Sequence, residues 1–304
     1  MKVKERFSSV AVFGGSGYIG SRLLAEFSKN GSGTVGVGRN ATDGLLSMDL
    51  ARPDIASLDL KKRGVTHAII AAAVSRIDVC ESDPYSARVV NVDGTVELAK
   101  QLCNKGIKLI VFSSDYVFDG AKGSYTEGSV VSPVNEYGRQ KADMEKLLLR
   151  DCGENVLVLR LSKVFDVNKG SATLLDEMAG RFVRGEAVSA ARDQYFCPVW
   201  IDDVVALVGR LMTSGANGVM HLCAPRKTSR LELALNIAEA VGADEGLVKN
   251  IRLRDLGENF VRPLDTSMVC DRLNRSMKYD FRDVRDCVRE LAFNYRGNVR
   301  AKKI

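Results

Sequence analysis

The chain is poor in the residues that metal and secretory chemistry use. Histidine occurs only at His67 and His221, and the seven cysteines (Cys80, Cys103, Cys152, Cys197, Cys223, Cys270, Cys287) never fall into a C-x-x-C pair. No Cys/His constellation at zinc-ligand spacing can be drawn from that set, so no metal site is expected. Scattered cysteines in odd number also give no disulfide framework, which implies a reduced, cytoplasmic setting. Proline is sparse, 6 residues among 304, and no Ser/Pro-rich linker or long charge run divides the chain. The longest unbroken apolar run, Ala68 to Val74, is far short of the roughly 20 residues that cross a bilayer, so no membrane is expected as a partner. Met1 to Phe7 is basic like the start of an export signal, but the apolar stretch after it is broken by Gly14, Gly15, Gly17 and Gly20. No signal is expected. Basic residues are not interleaved with aromatics, which argues against nucleic acid.

What is present is a globular composition, 45% hydrophobic and 27% charged, with 44 basic residues against 38 acidic ones for a net charge of +6. At this length two lobes or one large α/β unit are expected. Short β-branched runs alternate with longer amphipathic stretches, which predicts βαβ units and a doubly wound parallel sheet. Candidate strands are Ser9 to Phe13, Thr34 to Val37, His67 to Ala71, Lys108 to Phe112 and Val156 to Leu159. Helical patterns fall at Tyr18 to Asn30, Pro84 to Asn104 and Tyr137 to Arg150. Beyond Leu161 the rhythm loosens into helices near Thr173 to Arg184, Asp203 to Met212, Leu231 to Ala240 and Asp283 to Phe293, with short strands near Val188 and Val219. That half reads as a smaller ligand lobe, and the basic tail from Arg296 to Lys303 reads as solvated.

Gly14-Gly15-Ser16-Gly17-Tyr18-Ile19-Gly20 follows a candidate strand directly and opens a helix. Glycines at its first, fourth and seventh positions allow a tight turn and the approach of a pyrophosphate to the helix N-terminus, whose dipole attracts anions. A carboxylate near the end of the second strand would grip the ribose of NAD, but Gly36-Val37-Gly38-Arg39-Asn40 stands there. Arg39 suits the 2′-phosphate of NADP, the other reading being a solvated surface arginine. Asp49 and Leu50 are placed to meet the adenine edge, or Asp49 caps a helix.

In Tyr137-Gly138-Arg139-Gln140-Lys141 a helix would set Tyr137 and Lys141 on one face. The ammonium is expected to lower the tyrosine pKa toward working pH, as a general acid for a carbonyl oxygen requires. Upstream, the Lys108 strand ends in Ser113-Ser114. The C-terminal edge of a parallel strand is where such sheets bind ligands, and a hydroxyl there donates to the same carbonyl or merely turns the chain.

Together, the glycine turn, Ala71-Ala72-Ala73, Ser114 and the Tyr137/Lys141 pair resemble the extended short-chain dehydrogenases/reductases. More narrowly, Phe112-Ser113-Ser114-Asp115-Tyr116-Val117-Phe118-Asp119-Gly120 is similar to a segment of dTDP-4-dehydrorhamnose reductases. So are Asn91-Val92-Asp93-Gly94-Thr95, Ser132-Pro133-Val134-Asn135-Glu136-Tyr137-Gly138, Asp193-Gln194 with Pro198, and Arg262-Pro263. The resemblance implies a Rossmann domain, residues 1–165 together with 199–224, and a smaller sugar-nucleotide lobe, residues 166–304. It implies reduction by NADP(H), with NAD(H) as an alternative, of the C4 ketone of a nucleotide-linked deoxyhexulose in dTDP-rhamnose or polysaccharide biosynthesis, with a homodimer possible. Tyr137 would protonate the nascent oxygen, Lys141 would hold the nicotinamide ribose and tune Tyr137, and Ser114 would polarise the carbonyl. Gly14, Gly17, Tyr18, Ile19, Gly20, Arg39, Asn40, Asp49, Leu50 and Ala71 to Ala73 would contact the cofactor. Ser75, Arg76, Asp115, Tyr116, Lys163, Gln194 and Arg262 would contact the substrate.

Tyr116 follows Asp115 where related dehydratases carry a glutamate, which disfavours β-elimination. Arg160-Leu161-Ser162-Lys163 replaces the Arg-Thr-Ser-Trp of many such reductases, Pro198-Val199 stands for Pro-Thr, and Arg76 follows Ser75 where a small residue is common. Arg262 reads either as a pyrophosphate partner or as a surface charge. The resemblance extends equally to the regulatory β subunit of methionine adenosyltransferase, so a non-catalytic NADP-binding subunit stands as an alternative, as does a sugar-nucleotide epimerase. Trp200 reads as a packing anchor and His221 as a satisfied strand histidine.

Overall fold

The structure is a computed structural model describing residues 9–29, 31 and 33–296. The expectations for Met1 to Phe7, for Asn30 and for the tail beyond Arg296 lie outside the described residues. The chain divides into two compact units: one comprises the chain up to Val117 with Val131–Arg160 and Val204–Met220, the other Phe118–Val130, Leu161–Asp203 and the chain from His221 on.

The first unit is built on a 7-stranded sheet. Its strands are β1 (Ser9–Phe13), β2 (Gly33–Gly38), β3 (Leu46–Ser47), β4 (His67–Ile70), β5 (Lys108–Ser114) and β6 (Val156–Leu161), together with Gly218–Leu222. Their order is Gly218–Leu222, β6, β5, β4, β1, β2, β3. Strand β1 runs parallel to both β2 and β4, and so do β2 to β3 and β4 to β5. All five residues of β1 are buried, as a central parallel strand covered on both faces requires. This is the Rossmann order, which reverses between β1 and β4; ligands bind beyond the carboxyl ends of the strands at such a switch.

Alternation along the strands decides what faces the helices. Ala11 and Phe13, Val35 and Val37, and Ala68 and Ile70 pack into one cluster with Leu98, Leu102, Met144 and Leu148. Each Phe, Val, Ile, Leu or Met side chain among them contributes about 1.5–3 kcal/mol when fully buried. Helix α1 (Tyr18–Lys29) turns Leu23 and Phe27 inward.

The helical pattern expected from Pro84 to Asn104 runs unbroken over residues 84–103, but it is not α-helical throughout. Helix Pro84–Arg88 passes into a π-helical turn, Val89–Gly94, and then into helix Thr95–Cys103. The Thr95 hydroxyl donates to the Val90 carbonyl at 2.9 Å, and a Cβ on Gly94 would stand 1.8 Å from the Leu50 carbonyl oxygen. The backbone therefore lies directly on the β3–β4 connection, and the widened turn accommodates it. A short helix, Ile77–Ser82, was not expected either.

The second unit centres on helices Leu174–Val183, Arg230–Val241 and Val284–Arg296, whose Leu175, Met178, Leu233, Ile237 and Leu291 share one core. Val188–Ala191 pairs in parallel with Val248–Ile251. Trp200 packs against this core with the Arg282 guanidinium 4.7 Å from its ring centroid. His221 is fully buried, with Nδ1 3.0 Å from the Val269 carbonyl oxygen and its ring against Phe118.

Candidate active site

The glycine turn is a backbone fitting. The amides of Gly14 and Gly15 both donate to the Val37 carbonyl at 2.9 Å, tying the turn to β2. Gly14 has φ +89°, and a Cβ on it would lie 2.6 Å from the Ala72 amide nitrogen. Only glycine allows β1 and the chain leaving β4 to approach this closely. A Cβ on Gly20 would stand 2.1 Å from the Gly14 carbonyl oxygen, and one on Gly17 3.2 Å from it. Tyr18 and Ile19 open α1, with the positive end of its dipole at the turn.

The remaining cofactor candidates divide by what they already do. Arg39 and Asn40 are exposed just past β2; the Arg39 guanidinium carries no ion pair among the described residues. Asp49 does not cap a helix: its carboxylate accepts the Ala51 amide at 3.0 Å within a turn. Leu50 is a core side chain. Ala71, Ala72 and Ala73 leave β4 half-buried beside Gly14. Ser113, 5% exposed, has a hydroxyl with no hydrogen-bond partner in the structure. A glycine cradle at the switch point, an unpaired arginine after β2 and an unsatisfied hydroxyl at the end of β5 fit a phosphorylated dinucleotide.

Helix Glu136–Cys152 starts at Asn135, whose side chain accepts the Gly138 amide at 2.9 Å, an N-cap contributing about 1 kcal/mol. A Cβ on Gly138 would lie 2.2 Å from the Tyr116 carbonyl oxygen, so glycine lets the helix start rest on the turn Asp115–Val117. This contact brings Tyr137 to Tyr116, with ring centroids 6.1 Å apart. Ser114, at the end of β5, donates to the Asp115 carboxylate at 3.1 Å and accepts the Tyr116 amide at 3.2 Å. The Lys141 ammonium, 4% exposed, donates to the Phe112 carbonyl at 3.0 Å and stands 6.0 Å from the Tyr137 ring centroid.

The expected lowering of the Tyr137 pKa by Lys141 is overturned. Tyr137 is half-buried, and desolvation of its phenol raises its pKa above the ordinary value, with the neighbouring Ser114 hydroxyl acting in the opposite sense. Lys141 is itself pulled down to about 8 by burial, against the opposing influence of Glu145. Desolvation is the largest influence on both groups and moves each toward its neutral form.

Two residues around this centre were given no role from sequence, although Asn91 opens one of the segments that carry the resemblance. Asn91, fully buried, accepts the Val74 amide at 2.8 Å, donates to the Val74 carbonyl at 3.0 Å and donates to Gln140 at 2.8 Å. It therefore ties the loop after β4 to the helix carrying Tyr137 and Lys141. The Cys80 thiol donates to the Val74 carbonyl at 3.3 Å and is pushed up to about 11, chiefly by burial. A buried asparagine inside a helical pattern was the available signal for Asn91; Cys80 had none.

The substrate candidates are less uniform. Ser75 and Arg76 are exposed, and Arg76 is ion-paired with Asp78. Asp115 is buried and Tyr116 half-buried beside Tyr137. The others belong to the second unit. Lys163 is exposed. Gln194 is 7% exposed and its side-chain carbonyl has no partner. Arg262 is ion-paired with Glu258 and lies over the Phe260 ring, 5.0 Å from its centroid.

A parallel sheet in this order, with a glycine turn at its switch point and Ser, Tyr and Lys side chains beyond its fifth strand, defines an extended short-chain dehydrogenase/reductase fold. Within that class the chain belongs to the RmlD substrate binding domain family, whose model matches residues 8–296. It is 29% identical over 271 residues to the probable low-salt glycan biosynthesis reductase Agl14 of Haloferax volcanii, covering 85% of this chain and 90% of that one. Methionine adenosyltransferase 2 subunit beta of Xenopus tropicalis is 29% identical over 276 residues, 87% of this chain and 81% of the relative. The dTDP-4-dehydrorhamnose reductase of Sinorhizobium fredii is 28% identical over 273 residues, 83% and 90% of the two chains. The fold is shared with the crystal structure of dTDP-4-dehydrorhamnose reductase from Bacillus anthracis in complex with NADP, at TM-score 0.84 and 20% identity over 94% of this chain and 99% of that one.

Proposed function

We propose that the protein reduces the C4 ketone of a nucleotide-linked deoxyhexulose with NADPH. The observation that carries this reading is the grouping of Ser114, Tyr137 and Lys141 at the end of β5, in the unit that also holds the glycine turn. The similarity to reductases of the same family supports it. Gly14, Gly17, Tyr18, Ile19 and Gly20 would hold the pyrophosphate, Arg39 and Asn40 the 2′-phosphate, and Tyr137 with Lys141 the nicotinamide ribose. The dinucleotide, when bound, supplies a hydride.

The chain's own residues handle the charge that results. Ser114 donates to the ketone oxygen and polarises it. Tyr137, kept a neutral phenol by its burial, passes its proton to that oxygen as negative charge develops there. The Lys141 ammonium, already in place, then stabilises the phenolate left on Tyr137. In this reading the first unit binds the dinucleotide, and the second, with Lys163, Gln194 and Arg262, binds the sugar nucleotide. The seven free thiols suit a reducing cytoplasm, and no helix among the described residues is long and apolar enough to cross a membrane.

The test follows NADPH absorbance in the presence of nucleotide 4-keto-deoxysugars. Substrate-dependent consumption is expected, and its absence across nucleotide bases and sugar stereochemistries would refute the reading. The similarity to methionine adenosyltransferase 2 subunit beta favours a second reading, a non-catalytic NADP-binding subunit. Tight NADPH binding without turnover would select it.

A further inference from the structure

Helix Glu136–Cys152 carries Tyr137, Lys141 and Glu145 at successive i, i+4 steps, on one face. Glu145 is met by Arg160 from β6, and the two side chains are only 5% and 4% exposed. Arg160 Nε lies 3.0 and 3.2 Å from the two carboxylate oxygens and Nη2 lies 2.6 Å from the second. Such a fork holds the carboxylate in one orientation. Stability is a weak explanation for it, because burying two ions costs several kcal/mol each and an apolar pair of equal volume often does as well.

Lys141 has a use for a fixed anion. Its ammonium is buried and donates to the Phe112 carbonyl. Among the influences that keep it charged, Glu145 is the largest; the Cys80 thiol on helix Ile77–Ser82, pushed up to about 11, is uncharged where Lys141 titrates. The turn Asp115–Val117 directs Asp115 and Tyr116 at Tyr137 instead. The π-helical turn presents the neutral Asn91 to Gln140, and helix Thr95–Cys103 contributes Leu98 and Leu102 to the shared core.

We propose that Arg160 and Glu145 form a positioning pair for Lys141: Arg160 pins the carboxylate one helical turn beyond the ammonium, and the carboxylate keeps Lys141 charged inside its buried site. The proposal rests on the reading that Lys141 acts in its charged form.

Glu145→Gln removes the anion at nearly constant volume, and Glu145→Gln combined with Arg160→Gln removes both charges should a lone buried Arg160 prevent folding. In Glu145→Gln the high-pH loss of kcat is expected to begin about one pH unit lower than in wild type, and in the double variant, which also removes the Arg160 cation, to move in the same direction by less; the rate at pH 6 stays within about twofold in both. Glu145→Asp retains the anion and should restore the profile toward wild type. A merely structural role would lower the rate by the same factor at every pH, and that outcome overturns the proposal. The Lys141 ε-methylene, followed by 13C NMR and assigned through Lys141→Met, reports the same titration without turnover. It should fall by a similar amount in Glu145→Gln, and an unmoved titration overturns the proposal. If the wild-type protein shows no reductase activity the functional reading falls, while the NMR titration still decides the role of the pair.

Discussion

Replacing Gly20 by alanine tests the fit of the glycine turn with atoms that have no freedom to yield. The new Cβ would stand 2.1 Å from the Gly14 carbonyl oxygen, 2.8 Å from its carbon and 3.2 Å from Gly15 Cα. All three are backbone. Moving the nearest of them from 2.1 Å to an ordinary 3.4 Å requires turn and helix to part by about 1.3 Å. Overpacking of this kind costs roughly 1–3 kcal/mol, and the better helix propensity of alanine returns about 1 kcal/mol. The net loss of stability is therefore modest, and Tm should fall by only a few degrees. Gly20→Ala is thus expected to fold and to bind NADPH measurably more weakly by calorimetry, because the backbone cradle is displaced. Gly128→Ala is the control, because a Cβ there would meet only Thr126 Oγ1, at 4.0 Å. Wild-type NADPH affinity in Gly20→Ala would refute the claim that this turn is shaped for a dinucleotide.

Other expectations follow from the same geometry. Arg39→Ala removes a charge-assisted contact of about 1.5–3 kcal/mol, so NADPH affinity should fall roughly 10- to 100-fold with NADH little changed; equal losses would remove the 2′-phosphate assignment. Lys141 is charged below about 8 and loses its proton above it, so kcat should decline as pH rises through that value. Tyr137, pushed upward, stays protonated across the same range, and a decline appearing only near pH 10 would contradict the division of roles. The lowered Lys141 pKa also bears on folding. Its burial costs stability in full below about pH 8, and the cost is relieved as pH rises toward the ordinary 10.5, where the unfolded chain binds more protons than the folded one. A urea midpoint that rises between those pH values in wild type more than in Lys141→Met checks the sign.

The parts of this molecule that local pattern governs could be read from sequence. Ser9 to Phe13 is a run of buried strand residues in front of a glycine turn, and both were recognisable without any tertiary contact. Tyr137 and Lys141 share a face because of helical spacing alone. What escaped depends on neighbours distant in sequence. The π-helical turn at Val89–Gly94 exists where the chain meets Leu50 and Val74, and no periodicity in the segment announces it. The direction of the Tyr137 shift was misjudged because spacing reveals the ammonium but not the enclosure that desolvates both groups. Arg160 and Glu145 meet only once β6 lies against the helix. Arg262 and Arg76 look like free cations in sequence, yet each is held by a nearby carboxylate.

The central claim is that Ser114, Tyr137 and Lys141 act on a ketone beside bound NADPH. Its most direct test is single-turnover oxidation of bound NADPH by a nucleotide 4-keto-deoxysugar in wild type and Tyr137→Phe, with NADPH affinity measured on the same samples. The account predicts a loss of about 10²- to 10⁴-fold in rate with affinity unchanged. A Tyr137→Phe protein that reduces the sugar at the wild-type rate would contradict it.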